Sequence, residues 1–255
     1  MTISGTARAV AAAAALTLTA LATTSPAQAG EQGRAPDPSF GAPTVGTCST
    51  MTAKQGNAPS DRSTAVSCSK AHTAEVAGVV KLPPRVKWST ATTTTLFRVV
   101  AEKCAPKVDT TLGRNTATRD SSAYSYVWFA PTKAQRAKGA RWLSCSVIIR
   151  RATALPDLPT SKTPFLPDGA LPDRVARCLT KSALNTPCKA AHLWRATGTF
   201  TVAGTYPGAK ALNKKATRQC VSRVHSPAYR WTYRDKITWN LNNDHVVVCY
   251  SKTTG

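Results

Sequence analysis

Acidic residues are scarce in this chain, and the short motifs of common enzymes are missing. Its 255 residues include 12 Asp and Glu against 34 Lys and Arg, which gives a formal net charge of +22. The carboxylates are widely spaced, so folding alone must assemble any acid and base pair for glycan hydrolysis. Neither G-x-S-x-G nor H-E-x-x-H occurs, and there is no phosphate-cradling glycine loop. The sequence therefore favours a protein without catalytic activity.

Long apolar runs are also missing after residue 29. Residues 1–29 have the features of a signal peptide: Arg8 near the start, an Ala- and Leu-rich run over 10–22, and an A-x-A cleavage site at 27–29. The run is interrupted by threonines and falls short of the roughly 20 apolar residues of a membrane span, so a retained anchor is the less favoured alternative. We expect cleavage before Gly30 and a secreted mature chain.

The mature chain would carry 33 basic and 12 acidic residues, a net charge of +21. A surface of this kind attracts polyanions, and an exported protein meets wall polymers and anionic lipid head groups first. The alternative is a solvated surface that charge keeps soluble. The charge predicts an anionic cell-wall polymer or a membrane surface as the partner, and nothing in the sequence calls for a cofactor.

The chain carries the pattern C-x3-H-x5-G twice, with every position displaced by 120 residues. The two copies are Cys68, His72 and Gly78, and Cys188, His192 and Gly198. Each is followed by residues at helical spacing, namely Leu96, Val100 and Cys104, and Leu212, Ala216 and Cys220. Further on, Gly139 aligns with Asn243, and these are the residue types that best tolerate a positive φ. Self-similarity of this kind indicates two copies of one structural unit.

Eight cysteines in an exported chain indicate a disulfide framework. Eight cysteines allow 105 pairings, but two similar halves should pair internally and alike. A helix with its cysteine on the apolar side can be tied to a last strand that ends in cysteine. The preferred pairs are Cys48 with Cys68, Cys104 with Cys145, Cys178 with Cys188, and Cys220 with Cys249.

Composition divides the chain into a flexible arm (30–45), a first unit (46–152), a Pro-rich extended connector (153–172) and a second unit (173–255). Each unit is expected to pack a helix on a small antiparallel sheet, an α+β fold. The predicted helix of the second unit covers 210–220, and the predicted strands are 75–82, 124–130, 142–149, 194–202, 229–233, 237–241 and 246–250.

The motifs resemble the septum formation domain family of exported actinobacterial envelope proteins, in two tandem copies. The resemblance rests on CSKAHTAEVAG and YVWFAPTKAQRAKGARWLSC in the first unit, and on CKAAHLWRATG and TYPGAKALNKKATRQC in the second. The first unit departs from the family pattern at Ala71 and Gln135, and the second at Arg195, Asn243 and His245. The resemblance implies an envelope protein with no established catalytic activity.

His72 and His192, each four residues after a cysteine, are the residues that most resemble an active site. A thiolate and imidazole pair serves nucleophilic catalysis, and the same atoms bind metals. Both roles need a free thiol, which full pairing removes. We therefore favour histidines that hold a turn through backbone hydrogen bonds, and expect neither a catalytic nor a metal site.

Basic residues cluster in both units. The segment YRWTYRDK, read as a strand, puts aromatic rings on one face and cations on the other. One interpretation is a solvated basic face over an aromatic core, and the other is a binding surface for an anionic polymer. The candidate anion-binding residues are Lys133, Arg136, Lys138, Arg141, Lys210, Lys214, Lys215, Arg218, Arg230, Arg234 and Lys236.

The sequence supports three alternative hypotheses about function. The first is a secreted, non-catalytic envelope protein, linked to septum formation, that binds anionic wall or membrane components. The second is a wall-acting Cys/His hydrolase or metal-dependent enzyme. The third is binding of a protein of the division machinery.

Overall fold

Two five-stranded antiparallel sheets, one in each half of the chain, organise the structure, which is a computed structural model. It describes residues 35–151, 153–160 and 165–253, so the predicted signal peptide lies outside the described residues. The first sheet contains β1 (Cys48–Thr50), β2 (Thr64–Val66), β3 (Ala74–Lys81), β4 (Tyr124–Phe129) and β5 (Trp142–Ile149). The second contains β6 (Arg177–Leu179), β7 (Asn185–Pro187), β8 (Trp194–Thr201), β9 (Tyr229–Tyr233) and β10 (Val246–Lys252).

The two sheets have the same topology. The strand order is β2-β1-β3-β5-β4 in the first and β7-β6-β8-β10-β9 in the second, so each strand has its counterpart five strands later. Gly139 and Asn243, which the sequence alignment paired, both have positive φ, +99° and +56°. The α+β fold and its duplication are confirmed.

Helices connect the strands and cover one face of each sheet. They are α1 (Ala53–Gly56), α2 (Thr93–Val99), a π-helical turn (Val100–Cys104), α3 (Ala105–Leu112), α4 (Thr116–Asp120), α5 (Lys133–Ala137), α6 (Ala209–Gln219), a 3₁₀ turn (Val221–Arg223) and α7 (Lys236–Asn242). Among the described residues, none of these helices is both long and apolar enough to cross a membrane.

The helical segment of the first half continues beyond Cys104, the last of the three residues at helical spacing. Pro106 has no N–H to donate to the carbonyl of residue 102. Just before it, the hydrogen bonds change to the π-helical pattern, in which the Ala105 N–H donates to the carbonyl of Val100, five residues earlier. The segment then continues as α3 with Val108 and Leu112 buried. The core of this half accordingly receives one more helical element than the sequence predicted.

The predicted strand at 237–241 is wrong, because this segment is α7. Its alternating apolar residues fit a strand, but Asp235 accepts hydrogen bonds from the Ile237 and Thr238 N–H groups and starts a helix instead. Trp239 is fully buried, whereas Leu241 is 40 % exposed. In a half-buried strand, residues two apart point to the same side, so Trp239 and Leu241 would both face the core. In a helix they point to different sides, and only Trp239 is buried.

The arm at 30–45 was predicted to be flexible, and its later part is docked. The Asp37 N–H donates to the Lys138 carbonyl at 3.1 Å, and the Arg141 N–H donates to the Pro38 carbonyl at 2.8 Å. The Trp142 indole N–H donates to the Phe40 carbonyl at 3.0 Å. These long-range bonds tie the segment to α5 and β5.

The described parts of the Pro-rich connector, 153–160 and 165–172, are packed rather than free. Leu158, Phe165 and Leu166 are buried in the core of the first half. The N–H groups of Phe165 and Leu166 donate to carbonyls at the end of α3. Both halves belong to one compact body that begins at Pro36.

Candidate functional site

The repeated histidines have the same local geometry in both halves. His72 Nδ1 donates to the Lys70 carbonyl, and His192 Nδ1 donates to the Ala190 carbonyl, both at 2.8 Å. The bond closes the turn that leads into β3 or β8, as the turn-holding interpretation predicts. The His72 carbonyl in turn accepts the Leu158 N–H of the connector at 2.7 Å. The His72 ring is buried, and the backbone bond at Nδ1 holds it in the turn.

All eight cysteines are paired in the predicted way: Cys48 with Cys68, Cys104 with Cys145, Cys178 with Cys188, and Cys220 with Cys249. Cys68 and Cys188, the potential nucleophiles, are therefore both in disulfides. Sulfur in a disulfide is neither a thiolate nucleophile nor a metal ligand. The arrangement offers no thiol to the histidines in either half.

Glu75 lies within the first copy of the motif, three residues after His72. Its carboxylate lies 3.8 Å from Cys48 Sγ. Burial raises its pKa, and His72 lowers it by a smaller amount. Cys48, Cys68 and Glu75 form the one cluster of potential metal ligands in the described part of the chain, and two of its three donor atoms are bonded to each other.

Gly78 and Gly198 of the motif are covered by the residues that follow the helix cysteines. A Cβ at Gly78 would lie 2.8 Å from Lys107 Cβ, and one at Gly198 would lie 2.8 Å from Arg223 Cβ. Each glycine pairs across the sheet with a disulfide cysteine, Cys145 or Cys249. The repeated glycine thus allows the helical segment to reach the strand at its disulfide.

The candidate cations of the first half mostly have structural contacts. The Arg141 guanidinium donates to the carbonyls of Pro83 and Val86. Arg136 lies over the Trp88 ring at 4.3 Å, and Lys138 lies over the Phe40 ring at 4.9 Å. Lys133, at the start of α5, is exposed. Arg136, Lys138 and Arg141 thus contact the arm and the β3–α2 loop.

The candidates of the second half separate into two groups. Lys210, Lys214, Lys215 and Arg218 are all exposed on α6. The aromatic rings of β9 lie on the face of the sheet that α6 covers. The Trp231 N–H and the Tyr233 hydroxyl both donate to Asn213 Oδ1 of this helix. The half-buried aromatic side chains of β9 pack against the core of this half, and α6 carries four exposed cations on its surface.

Arg230 and Arg234 lie on the other face of β9, and Lys236 is exposed at the start of α7. Arg230 lies over the Trp194 ring at 5.0 Å. Arg234 pairs with Asp244 at 2.6 Å and with Asp120 of the first half. Both carboxylates raise the pKa of Arg234 against the effect of burial. A guanidinium held between two carboxylates joins the halves, so Arg234 was wrongly assigned to an open anion-binding surface.

Sequence reasoning missed Asp120 and Asp244. Asp120 is 2 % exposed, and Arg234 is 114 residues away from it along the chain. Burial raises the pKa of Asp120 to about 6; Arg234 acts against this shift and Asp244 adds to it. A contact of this range leaves no periodic pattern in the sequence.

Comparison with known proteins gives one family. A sequence model of the family described as septum formation matches residues 20–124 and, in a second match, residues 45–242. The two matches are consistent with two copies of one domain. No curated protein and no solved structure gives a significant match.

Proposed function

Because the chain belongs to the septum formation family, we propose that it is a non-catalytic protein of the cell envelope that binds an anionic wall polymer through α6. Membership supports a role connected with the septum. The four disulfides support a location outside the cytoplasm, since disulfides persist in oxidising compartments.

The charge of α6 is the observation that carries the proposal. Its 11 residues include three lysines and one arginine and no acidic residue. Among the described residues, none of these four cations belongs to a salt bridge. Lys210, Lys214 and Arg218 recur every four residues, so their positions are about 6 Å apart along the helix axis. A row of free cations with this spacing suits a polymer with repeated phosphate or carboxylate groups.

The packing of α6 favours a polymer over a lipid surface. Leu212 and Ala216 are buried against the sheet together with Phe200 and Val247. A helix that binds a membrane inserts its apolar face among the lipids, and that face of α6 is already occupied. Binding to α6 is therefore expected to be electrostatic.

Wall binding by charge variants tests the proposal. The test variant carries Lys210→Gln, Lys214→Gln, Lys215→Gln and Arg218→Gln. The control carries Lys54→Gln, Lys70→Gln, Lys81→Gln and Lys87→Gln, which remove the same charge from exposed positions of the first half. We expect co-sedimentation with isolated, protease-treated walls to fall at least tenfold for the α6 variant and less than threefold for the control.

The same experiment separates the other functions. If both variants lose wall binding equally, binding depends on the total charge of the protein and not on α6, which would contradict the proposal. Binding that disappears when the walls are treated with protease would favour a division-machinery protein as the partner. Stronger binding to anionic vesicles than to walls would favour the membrane surface. The alternative of a Cys/His or metal-dependent wall enzyme requires wall fragments to be released, which we do not expect.

A further inference from the structure

The outer edge of β8, on the side away from β10, is less covered than the matching edge of β3. Residues 76–78 of β3 are buried, whereas the equivalent residues 196–198 of β8 are half-buried. Among the described strands, β6 pairs with β8 only at Trp194 and Arg195, so residues 196–201 pair with β10 alone. An edge of this kind leaves backbone N–H and C=O groups available to a further strand.

In the first half, the chain just before β1 covers the same edge. The Gly46 N–H donates to the Val76 carbonyl at 2.8 Å, and the Val76 N–H donates to the Thr47 carbonyl at 2.9 Å. An extended segment is thus added to β3 by backbone hydrogen bonds. Extended peptides bind to open sheet edges in the same way.

The second half lacks this cover. Ala176 takes the place of Gly46, since each lies two residues before the first cysteine of its half. The Ala176 N–H donates to the Pro172 carbonyl at 2.8 Å instead of to β8. The Ala196 carbonyl, the counterpart of the Val76 carbonyl, therefore has no backbone donor at this outer edge in the described part of the chain.

A cavity of about 460 Å³ lies along the open edge. Five consecutive residues of β8, 195–199, line it together with residues of α4 and residues 169–171 of the connector. Gly169 and Ala170 are exposed, so the cavity opens at the surface. Its volume is within the usual range of ligand-binding cavities, about 300–1,000 Å³, and five strand residues extend over about 16 Å. A short extended segment therefore has room beside β8.

The lining of this cavity favours small, uncharged side chains. Ten of its 13 residues are Ala, Gly, Ser or Thr. Arg195, the charged residue of the lining, already pairs with Asp173 at 2.8 Å, so it offers no free charge to an anionic polymer. The chain that covers β3 in the first half has the same character, because its sequence over 41–47 is GAPTVGT. The cavity thus suits a neutral peptide segment of similar composition.

We propose that this cavity binds an extended segment of a partner protein, rich in small uncharged residues, as an added strand beside β8. A backbone N–H of the segment donates to the Ala196 carbonyl, as the Gly46 N–H donates to the Val76 carbonyl in the first half. Side chains alternate in direction along a strand, and those on one face of the segment lie against α4. The site is separate from α6 and does not depend on polymer binding there.

Titration of the whole mature protein with a synthetic peptide, followed through the backbone amide resonances of Gly198 and Thr199, tests the proposal. The probe is the acetylated and amidated heptapeptide GAPTVGT, the sequence of residues 41–47. The control probe carries N-methylglycine at the position of Gly46, so it lacks the N–H that donates to Ala196. We expect a saturable shift with the first probe and an affinity about fivefold lower with the second, because one hydrogen bond is lost. Equal affinities, or no saturable shift in β8, would overturn the proposal.

Variants locate the site on the second half. Ala170→Tyr places a large side chain at the mouth of the cavity, and the fold should tolerate it because Ala170 is exposed. We expect this variant to bind the probe at least tenfold more weakly than the wild type. Ala137→Tyr is the control, because Ala137 is exposed on α5 and does not line the cavity. Equal affinities of the two variants, or shifts confined to β3, would contradict the assignment.

The oligomeric state distinguishes a partner protein from a second copy of the chain. Sedimentation velocity over the protein concentrations of the titration measures self-association. A monomer that binds the probe supports the proposal. A dimer that the Ala170→Tyr variant no longer forms would show that the edge of β8 binds a second copy, and the proposal would be wrong.

Discussion

Lys107 lies directly over Gly78, and a methyl group at residue 78 would be 2.8 Å from the Lys107 Cβ. Arg223 covers Gly198 in the same way, and each covering residue lies three positions after the helix cysteine. This contact between helix and strand beside a disulfide explains why the motif ends in glycine. It is a property of the fold and needs no ligand.

Gly78→Ala and Gly198→Ala should each destabilise the protein by about 1–3 kcal/mol, because the added methyl groups meet atoms close to the backbone. Urea unfolding under oxidising conditions measures the loss. A double-mutant cycle with Lys107→Gly isolates the contact, since removing the Lys107 Cβ should recover part of the cost. Additive effects in that cycle would show that the contact does not explain the glycine.

The disulfide between helix and strand should stabilise more than the short one. Cys104–Cys145 spans 41 residues, whereas Cys178–Cys188 spans 10. On the chain-entropy account this difference is worth about 1 kcal/mol. Replacing each pair by alanines and comparing the free energies of unfolding tests this order. A larger loss from Cys178/Cys188→Ala would contradict it.

Asp120 should make the protein less stable as the pH rises from about 4 to 6. Its pKa is raised from 3.8 to about 6 in the fold, mainly by burial. Over this interval the folded state keeps a proton that the unfolded state has lost, so stability falls with pH and then levels off. Asp120→Asn should lack this component when urea unfolding is compared at pH 4 and pH 7. A wild-type protein that instead gains stability relative to the variant would mean that attraction to Arg234 outweighs burial.

His72→Ala should destabilise without changing wall binding. The ring is 1 % exposed, and its loss leaves a cavity and an unpaired Lys70 carbonyl, worth about 2–4 kcal/mol. His192→Ala should cost less, because that ring is only half-buried. Thermal unfolding and wall co-sedimentation measure the two properties. If a folded His72→Ala protein no longer binds walls, the C-x3-H-x5-G motif takes part in wall binding and this prediction is wrong.

Sequence reasoning succeeded where spacing reflects local geometry. The repeat, the disulfide pairs and the positive φ of Gly139 and Asn243 follow from patterns that the chain carries twice, once in each half. It failed at 237–241, where one capping aspartate overrides an alternating pattern.

Contacts between the halves were not visible in the sequence. Arg234 was placed correctly on the face of β9 away from the aromatic core, but that face meets Asp120 of the other half. The docked arm and the packed connector likewise depend on residues far apart in sequence. A single sequence shows which face a side chain occupies and does not show what covers that face.

The salt dependence of wall binding tests the central claim most directly. The measurement is the affinity of the mature protein for isolated walls between 50 and 500 mM NaCl, compared with that of the α6 variant. We expect the wild-type affinity to fall steeply, because ions screen exposed charges, and the α6 variant to start lower and fall less. Binding that is independent of salt, or the same slope for both proteins, would contradict binding through the cations of α6.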